Sequence, residues 1–152
     1  MRMVLAVGLI LSIPSVLEAQ DEFGPNPRDV EFASSLRIDL DEMTETDSGL
    51  FYRDDVMGTG EPSMLLDTLT LSCTGYLVNG EAFYAGRLTA SLGTTRLIAG
   101  FTEGLVGMRA GGTRTIVIPA NLAYGSRGIE GVPPDAVLVY RLRVTEVERA
   151  RN

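Results

Sequence analysis

The chain has no histidine and a single cysteine, Cys73, and every one of its 13 basic residues is an arginine. Each absence closes a class of chemistry. Without histidine there is no His-based triad, no common zinc site and no side chain that changes charge near neutral pH. Without lysine, Schiff-base catalysis is excluded. One cysteine makes no internal disulfide, so stability must come from packing. Positive charge is scarce as well: a formal net charge of -7 argues against a nucleic-acid partner, because binding phosphates demands clustered cations.

What is present is a 152-residue chain with 45% hydrophobic residues, enough for one principal domain and short extensions. Its start, Met1-Arg2-Met3 and then the apolar run Val4 to Leu11, has the form of a secretory signal. A membrane-spanning helix needs about 20 apolar residues, and Ser12 and Pro14 cut this run short. Residues 1–19 are therefore expected to be a signal peptide, cleaved after Leu17-Glu18-Ala19, and the protein to be exported, periplasmic or secreted. The alternative is an uncleaved membrane anchor. Residues 20–48 are acidic and polar, with Pro25 and Pro27 near their start, and read as a linker. Val30, Phe32, Ala33 and Leu36 predict a turn or two of weak helix within it. Asp39, Asp41 and Glu42 lack the glycine and ligand spacing of a calcium loop and read as solvated charge.

From Gly49 the pattern is that of a β domain, residues 49–150. Leu50 to Arg53 predicts a first strand, ended by the turn Gly58-Thr59-Gly60-Glu61-Pro62. Thr68 to Leu77 alternates, with Leu69, Leu71 and Cys73 on one face and threonines and serine on the other. Asn79-Gly80 predicts a hairpin turn into Glu81-Ala82-Phe83-Tyr84. Thr115 to Ile118, stopped by Pro119, and Val137 to Val147 predict two more strands; in the last, Leu138, Tyr140, Leu142 and Val144 point inward. One short helix is signalled at Ala99 to Leu105, where Phe101 and Leu105 share a face. The fold class is α+β: a bent antiparallel sheet, or half-barrel, wrapped around one short helix.

The order and spacing of several fragments resemble the FKBP-type peptidyl-prolyl cis–trans isomerases over Gly49 to Val147. The fragments are Thr74-Gly75, Asn79-Gly80-Glu81-Ala82-Phe83, the run Leu97 to Leu105, Met108-Arg109-Ala110-Gly111, Ile118-Pro119, Leu122-Ala123-Tyr124-Gly125 and Val132-Pro133-Pro134-Asp135-Ala136. The leader and acidic segment are similar to those of exported bacterial members. The resemblance implies that Phe83, Leu97, Ile98, Phe101, Val132 and Tyr140 line a prolyl pocket, with Phe101 as its floor where most members have tryptophan. It also implies that the backbone N–H of Ile98 and the hydroxyl of Tyr124 bond substrate carbonyls. Without the resemblance, Leu97, Phe101 and Tyr140 read as core residues and Tyr124 as a turn aromatic. The implied partners are proline-containing polypeptide segments, with no cofactor, metal or nucleic acid. A monomer is expected, because there is no long amphipathic dimerisation helix.

That activity suits a chain poor in titrating groups. Isomerising an X–Pro bond means crossing a barrier of about 18–20 kcal/mol set by amide resonance, with no proton transferred. A dry pocket and donors aimed at the twisted amide lower it, and a millionfold gain needs about 8 kcal/mol. Two positions depart from the family pattern. Tyr84 stands where an aspartate is usual, and Cys73 where the tyrosine that holds that aspartate is usual. Both members of one polar pair are gone together, so no unpaired buried group is left behind. The Tyr84 ring is expected to fill part of the space opposite the small Cys73, which reads as a buried packing residue rather than a reactive thiol. The stretch from Phe83 to Leu92 and the loop Gly128-Ile129-Glu130-Gly131 are also shorter than in small members. The primary reading is an isomerase assisting the folding of exported proteins. The alternative is a weakly active or inactive proline-binding module of chaperone type; a purely structural domain has least support.

Overall fold

The computed structural model describes residues 24–151. The expected signal peptide at residues 1–19 lies outside them. Six strands form a single antiparallel sheet: β1 (Thr44–Glu45), β2 (Phe51–Val56), β3 (Thr68–Leu77), β4 (Ala82–Ser91), β5 (Thr113–Ile118) and β6 (Leu138–Glu148), in the order β1-β2-β5-β6-β3-β4. One helix, α1 (Ala99–Leu105), lies against its inner face. The fold is the open antiparallel sheet with a short helix that the sequence predicts.

The inner face is built by the period-two pattern. Leu69 and Leu71 of β3, Ile116 and Ile118 of β5 and Leu138, Leu142 and Val144 of β6 are all buried against Phe101 and Leu105 of α1. The helix comes this close to the sheet because Gly100 and Gly104 face it. A Cβ at Gly104 would meet Ile116 Cδ1 at 2.7 Å, and one at Gly100 would run into Ile118 Cγ2. At the helix C-terminus, Arg114 Nη1 donates to the carbonyls of Gly104 and Val106, each at 3.0 Å, while its Nε and Nη2 grip the Asp54 carboxylate at 2.7 and 3.0 Å. A cation there satisfies orphan carbonyls and matches the negative end of the helix.

The outer face departs from expectation. Residues 20–48 do not behave as a linker where they are described: three single turns of 3-10 helix and β1 pack Leu36 and Met43 onto Phe51, Val117, Val137 and Val139. The acidic composition concealed this, since the apolar residues are few and irregularly spaced while the carboxylates point outward. Arg28 ties the segment down, stacking over Phe51 at 5.0 Å and pairing with Asp41 at 3.2 Å and Glu45 at 3.1 Å. An antiparallel sheet can leave its second face to water, and here the segment covers only the apolar end of that face.

The strands also run further than predicted. β2 extends to Val56 and β4 continues without a break to Ser91. The chain after β6 is locked by Asp67, which is only 1% exposed. Its carboxylate accepts from the backbone N–H groups of Met64 at 2.9 Å and Ala150 at 3.1 Å and from Arg149 at 2.6 Å. Burial alone pushes this carboxyl up, but those three donors outweigh it and hold the pKa below the ordinary carboxylate value. A depressed folded pKa means stability that is complete above the unfolded pKa and lost as pH falls through the folded one. Asp67→Ala is expected to cost about 1–3 kcal/mol in urea unfolding near neutral pH. The same variant should lose less stability than the parent between about pH 4 and pH 2; parallel acid limbs would show that Asp67 does not contribute there.

Candidate active site

A cavity of about 780 Å³ opens on the inner side of the sheet between β3, β4, β6, α1 and the loop after β5. Its base is a cluster of three rings. Tyr140 of β6 stands between Phe83 and Phe101, with edge-to-face contacts at centroid distances of 5.6 and 5.0 Å and interplanar angles of 86° and 77°. The cluster depends on residue 75 having no side chain, since a Cβ on Gly75 would meet both Phe83 Cζ and Tyr140 Cε1 at 2.7 Å.

A register shift in the β3–β4 hairpin sets one wall. Gly75 faces Tyr84 but Tyr76 faces Ala82, so Phe83 is an extra residue in β4. Strict alternation would send Phe83 and Tyr84 to opposite faces; the bulge turns both toward the cavity. Leu88, two residues beyond Gly86, continues this wall. The packing expected of Tyr84 is half met. Its hydroxyl end lies over Gly86, the residue registered against Cys73, and the ring is 41% exposed. Tyr84 roofs the edge of the cavity instead of filling the space beside Cys73.

The opposite wall begins where α1 begins. Ile98 is the helix N-cap in extended conformation, and its carbonyl accepts from Phe101 and Thr102 at 3.1 and 3.2 Å. Its own N–H has no acceptor among the described residues. Tyr124 sits between a single 3-10 turn, Ala120–Leu122, and Gly125 at φ 59°, so its phenol is carried by a tight loop to a place beside that of Tyr140. Arg96 and Glu130 stand exposed on the rim with half-exposed Ile129.

All the residues expected at the site, except Val132, border this one cavity: Cys73, Phe83, Tyr84, Leu97, Ile98, Phe101, Tyr124 and Tyr140. Val132 is 3% exposed and packs into the core behind the loop, where it makes a bridge with Ile129. It supports the wall without lining it. Leu88 and Arg96 were not anticipated, whereas Ile129 and Glu130 belong to the shortened loop Gly128-Ile129-Glu130-Gly131 singled out in the sequence. Leu88 was findable, because the alternation Gly86, Leu88, Ala90 continues the inward face of β4. Nothing in the sequence marks Arg96, which reaches the rim only through the path of its loop.

The electrostatics are quiet. Burial pushes the Cys73 thiol up to about 11, and burial pushes the Tyr140 phenol up as well, with Tyr124 and Cys73 adding to it. Both groups stay neutral through the physiological range, so the cavity offers rings, aliphatic groups, neutral hydroxyls and one free backbone donor. It can hold an apolar ring and bond a carbonyl. Its one carboxylate, Glu130, stands exposed on the rim and away from the three rings of the base.

Comparison with known proteins agrees with this architecture. The family of FKBP-type peptidyl-prolyl cis-trans isomerases matches residues 60–145. The chain is 36% identical over 104 residues to FK506-binding protein 4 of Chaetomium thermophilum, covering 66% of this chain and 22% of that protein. It is 35% identical over 105 residues to the FK506-binding protein of Neisseria meningitidis serogroup B, covering 65% of this chain and 96% of that one. The crystal structure of FkpA from Escherichia coli superposes with a TM-score of 0.66 at 32% identity, over 72% of this chain and 53% of FkpA. The chain spans 21–22% of the length of four fungal relatives that it matches, so the likeness there is to one part of a longer protein. Sheet, helix, cavity and matched residues agree, and the chain belongs to the family of FKBP-type peptidyl-prolyl cis–trans isomerases.

Proposed function

We propose that the chain catalyses cis–trans isomerisation of X–Pro bonds in polypeptides, using the cavity around Tyr140. The observation that carries this reading is the free N–H of Ile98 beside a ring-lined hollow whose charged residues, Arg96 and Glu130, stand only on its exposed rim. A proline ring lodged against Phe83, Phe101 and Tyr140 leaves water, and its preceding amide loses the solvent that favours the planar, dipolar form. In this reading the Ile98 N–H and the Tyr124 hydroxyl bond carbonyls of the bound segment and hold it while the C–N bond turns. Such fixed donors in a dry site stabilise the twisted amide without reorganising. No proton moves, and the reaction needs no cofactor or metal.

The leader-like residues 1–19 support an exported protein, periplasmic or secreted, of the exported bacterial type. Its substrates are then proline-containing segments of exported proteins in the course of folding, met by a monomer. A second reading rests on Cys73 and Tyr84. With the usual polar pair absent and Tyr84 roofing the cavity edge, the site grips proline segments but turns them over slowly, as a binding module of chaperone type would.

Peptide isomerisation assays separate the two. The parent protein is expected to accelerate isomerisation above background, and Tyr124→Phe to lower kcat/KM about five- to tenfold, the worth of one hydrogen bond of about 1 kcal/mol. An unchanged rate would remove Tyr124 from the site. The double variant Cys73→Tyr with Tyr84→Asp is expected to raise kcat/KM; no parental activity combined with gain in this variant establishes the binding-module reading. Because Cys73 and Tyr140 are both shifted upward and stay protonated, kcat/KM is expected to be flat from about pH 6 to pH 9. A bell-shaped profile in that window would mean that proton transfer takes part.

A further inference from the structure

The sheet's outer face carries a second cleft, of about 680 Å³, which the isomerase reading does not use. Its floor is a pattern of arginines and hydroxyls set by strand register. In one row across the sheet Arg53 of β2 faces Thr115 of β5, which faces Arg141 of β6, which faces Thr74 of β3. In the neighbouring row Thr113 faces Arg143, which faces Ser72, and just outside the cleft Ser72 faces Arg87 of the edge strand β4. Arginine strands thus alternate with hydroxyl strands. Arg37, held at φ 52° after a 3-10 turn, closes one side of the cleft.

In a chain of net charge -7, this cleft is lined by a single carboxylate, Asp55. Asp55 pairs with Arg53 at 2.9 Å and accepts from the Thr115 hydroxyl at 2.7 Å. Arg141 donates to the Leu36 carbonyl at 3.0 Å and lies over Tyr76 at 5.4 Å, contacts that leave its charge uncompensated. Arg37, Arg87 and Arg143 are exposed and make no ion pair among the described residues.

We infer that this face binds an extended acidic polypeptide segment. The spacing selects against a small anion. Arginines two strands apart are separated by about 10 Å, and Arg141 and Arg143, two residues apart on one strand, by about 7 Å at the backbone. Positions set out in this way do not converge on one phosphate; Arg141 and Arg143 match carboxylates presented every second residue of an extended chain, about 7 Å apart, and the arginines about 10 Å away across the sheet can reach its flanking carboxylates. Each arginine can take a carboxylate in bidentate fashion, and the intervening hydroxyls can donate to the same oxygens or to backbone carbonyls. A single-stranded nucleic acid is the poorer fit, because such sites need aromatic faces on which bases stack. The outer-face rings of Phe51 and Tyr76 are already covered by Arg28 and Arg141.

The test is binding of a fluorescein-labelled octaglutamate peptide to the full chain by anisotropy, with inorganic phosphate and a labelled eight-nucleotide single-stranded DNA as comparison probes. Saturable octaglutamate binding at about 50 mM salt is expected, falling steeply toward about 300 mM. The double variant Arg37→Glu with Arg143→Glu is expected to weaken it by about tenfold or more with the melting temperature and isomerase rate unchanged. Arg87→Glu, on the edge strand, serves as an independent variant should the double one unfold, and is expected to weaken binding severalfold. No saturable binding by the parent, equal binding by folded variants, or tighter binding of DNA or phosphate than of octaglutamate would each overturn the inference.

Discussion

Tyr140 occupies the middle of β6 with Phe83 on one side and Phe101 on the other, and it can stand there only because Gly75 leaves the space that a Cβ would fill. Those two edge-to-face contacts join β4, β6 and α1, which are distant in the sequence, around one hollow. The helix reaches the sheet through an analogous device, with Gly100 and Gly104 admitting the side chains of Ile118 and Ile116. Close approach bought by glycine is therefore what sets the depth of the cavity. Larger residues at these places would lift the helix or displace the rings, and the floor would move with them.

Charge is kept to the rim of that hollow, at Arg96 and Glu130, and is put to structural use elsewhere. The Arg114–Asp54 pair closes the C-terminal end of α1, and Asp67 fastens the chain after β6 to the loop before β3. Each buried charge meets several donors or acceptors at once, which is the condition under which burying it is tolerable. At the base of the cavity, by contrast, Cys73 and Tyr140 are groups whose titration burial pushes still further above the physiological range. This division suits a reaction whose barrier is a torsion, because a titrating group in the pocket would only bring water with it.

The two faces of the sheet are treated differently. The helix and the rings fill the inner one. On the outer one the acidic N-terminal segment covers the end around Phe51, Val117 and Val139, and the remainder carries arginines and hydroxyls in register. The same strands thus serve an apolar hollow on one side and a cationic surface on the other, as a period of two allows.

Local pattern determined a good deal. The alternation in Thr68–Leu77 and in Leu138–Val147, the Asn79-Gly80 turn and the helix Ala99–Leu105 are all legible in the residues, since each depends on neighbours within a few positions. The resemblance of ordered fragments then brought together Phe83, Ile98, Phe101, Tyr124 and Tyr140, which no periodicity connects. Tertiary structure alone decided the rest. It put Phe83 and Tyr84 on the same side through a one-residue bulge, moved Val132 behind the wall, and brought Arg96 and Glu130 to the rim. It also turned an apparent linker into the cover of the outer face. These features follow from register, loop path and long-range packing, in which the partner of a residue is chosen by the whole sheet and not by the adjoining chain.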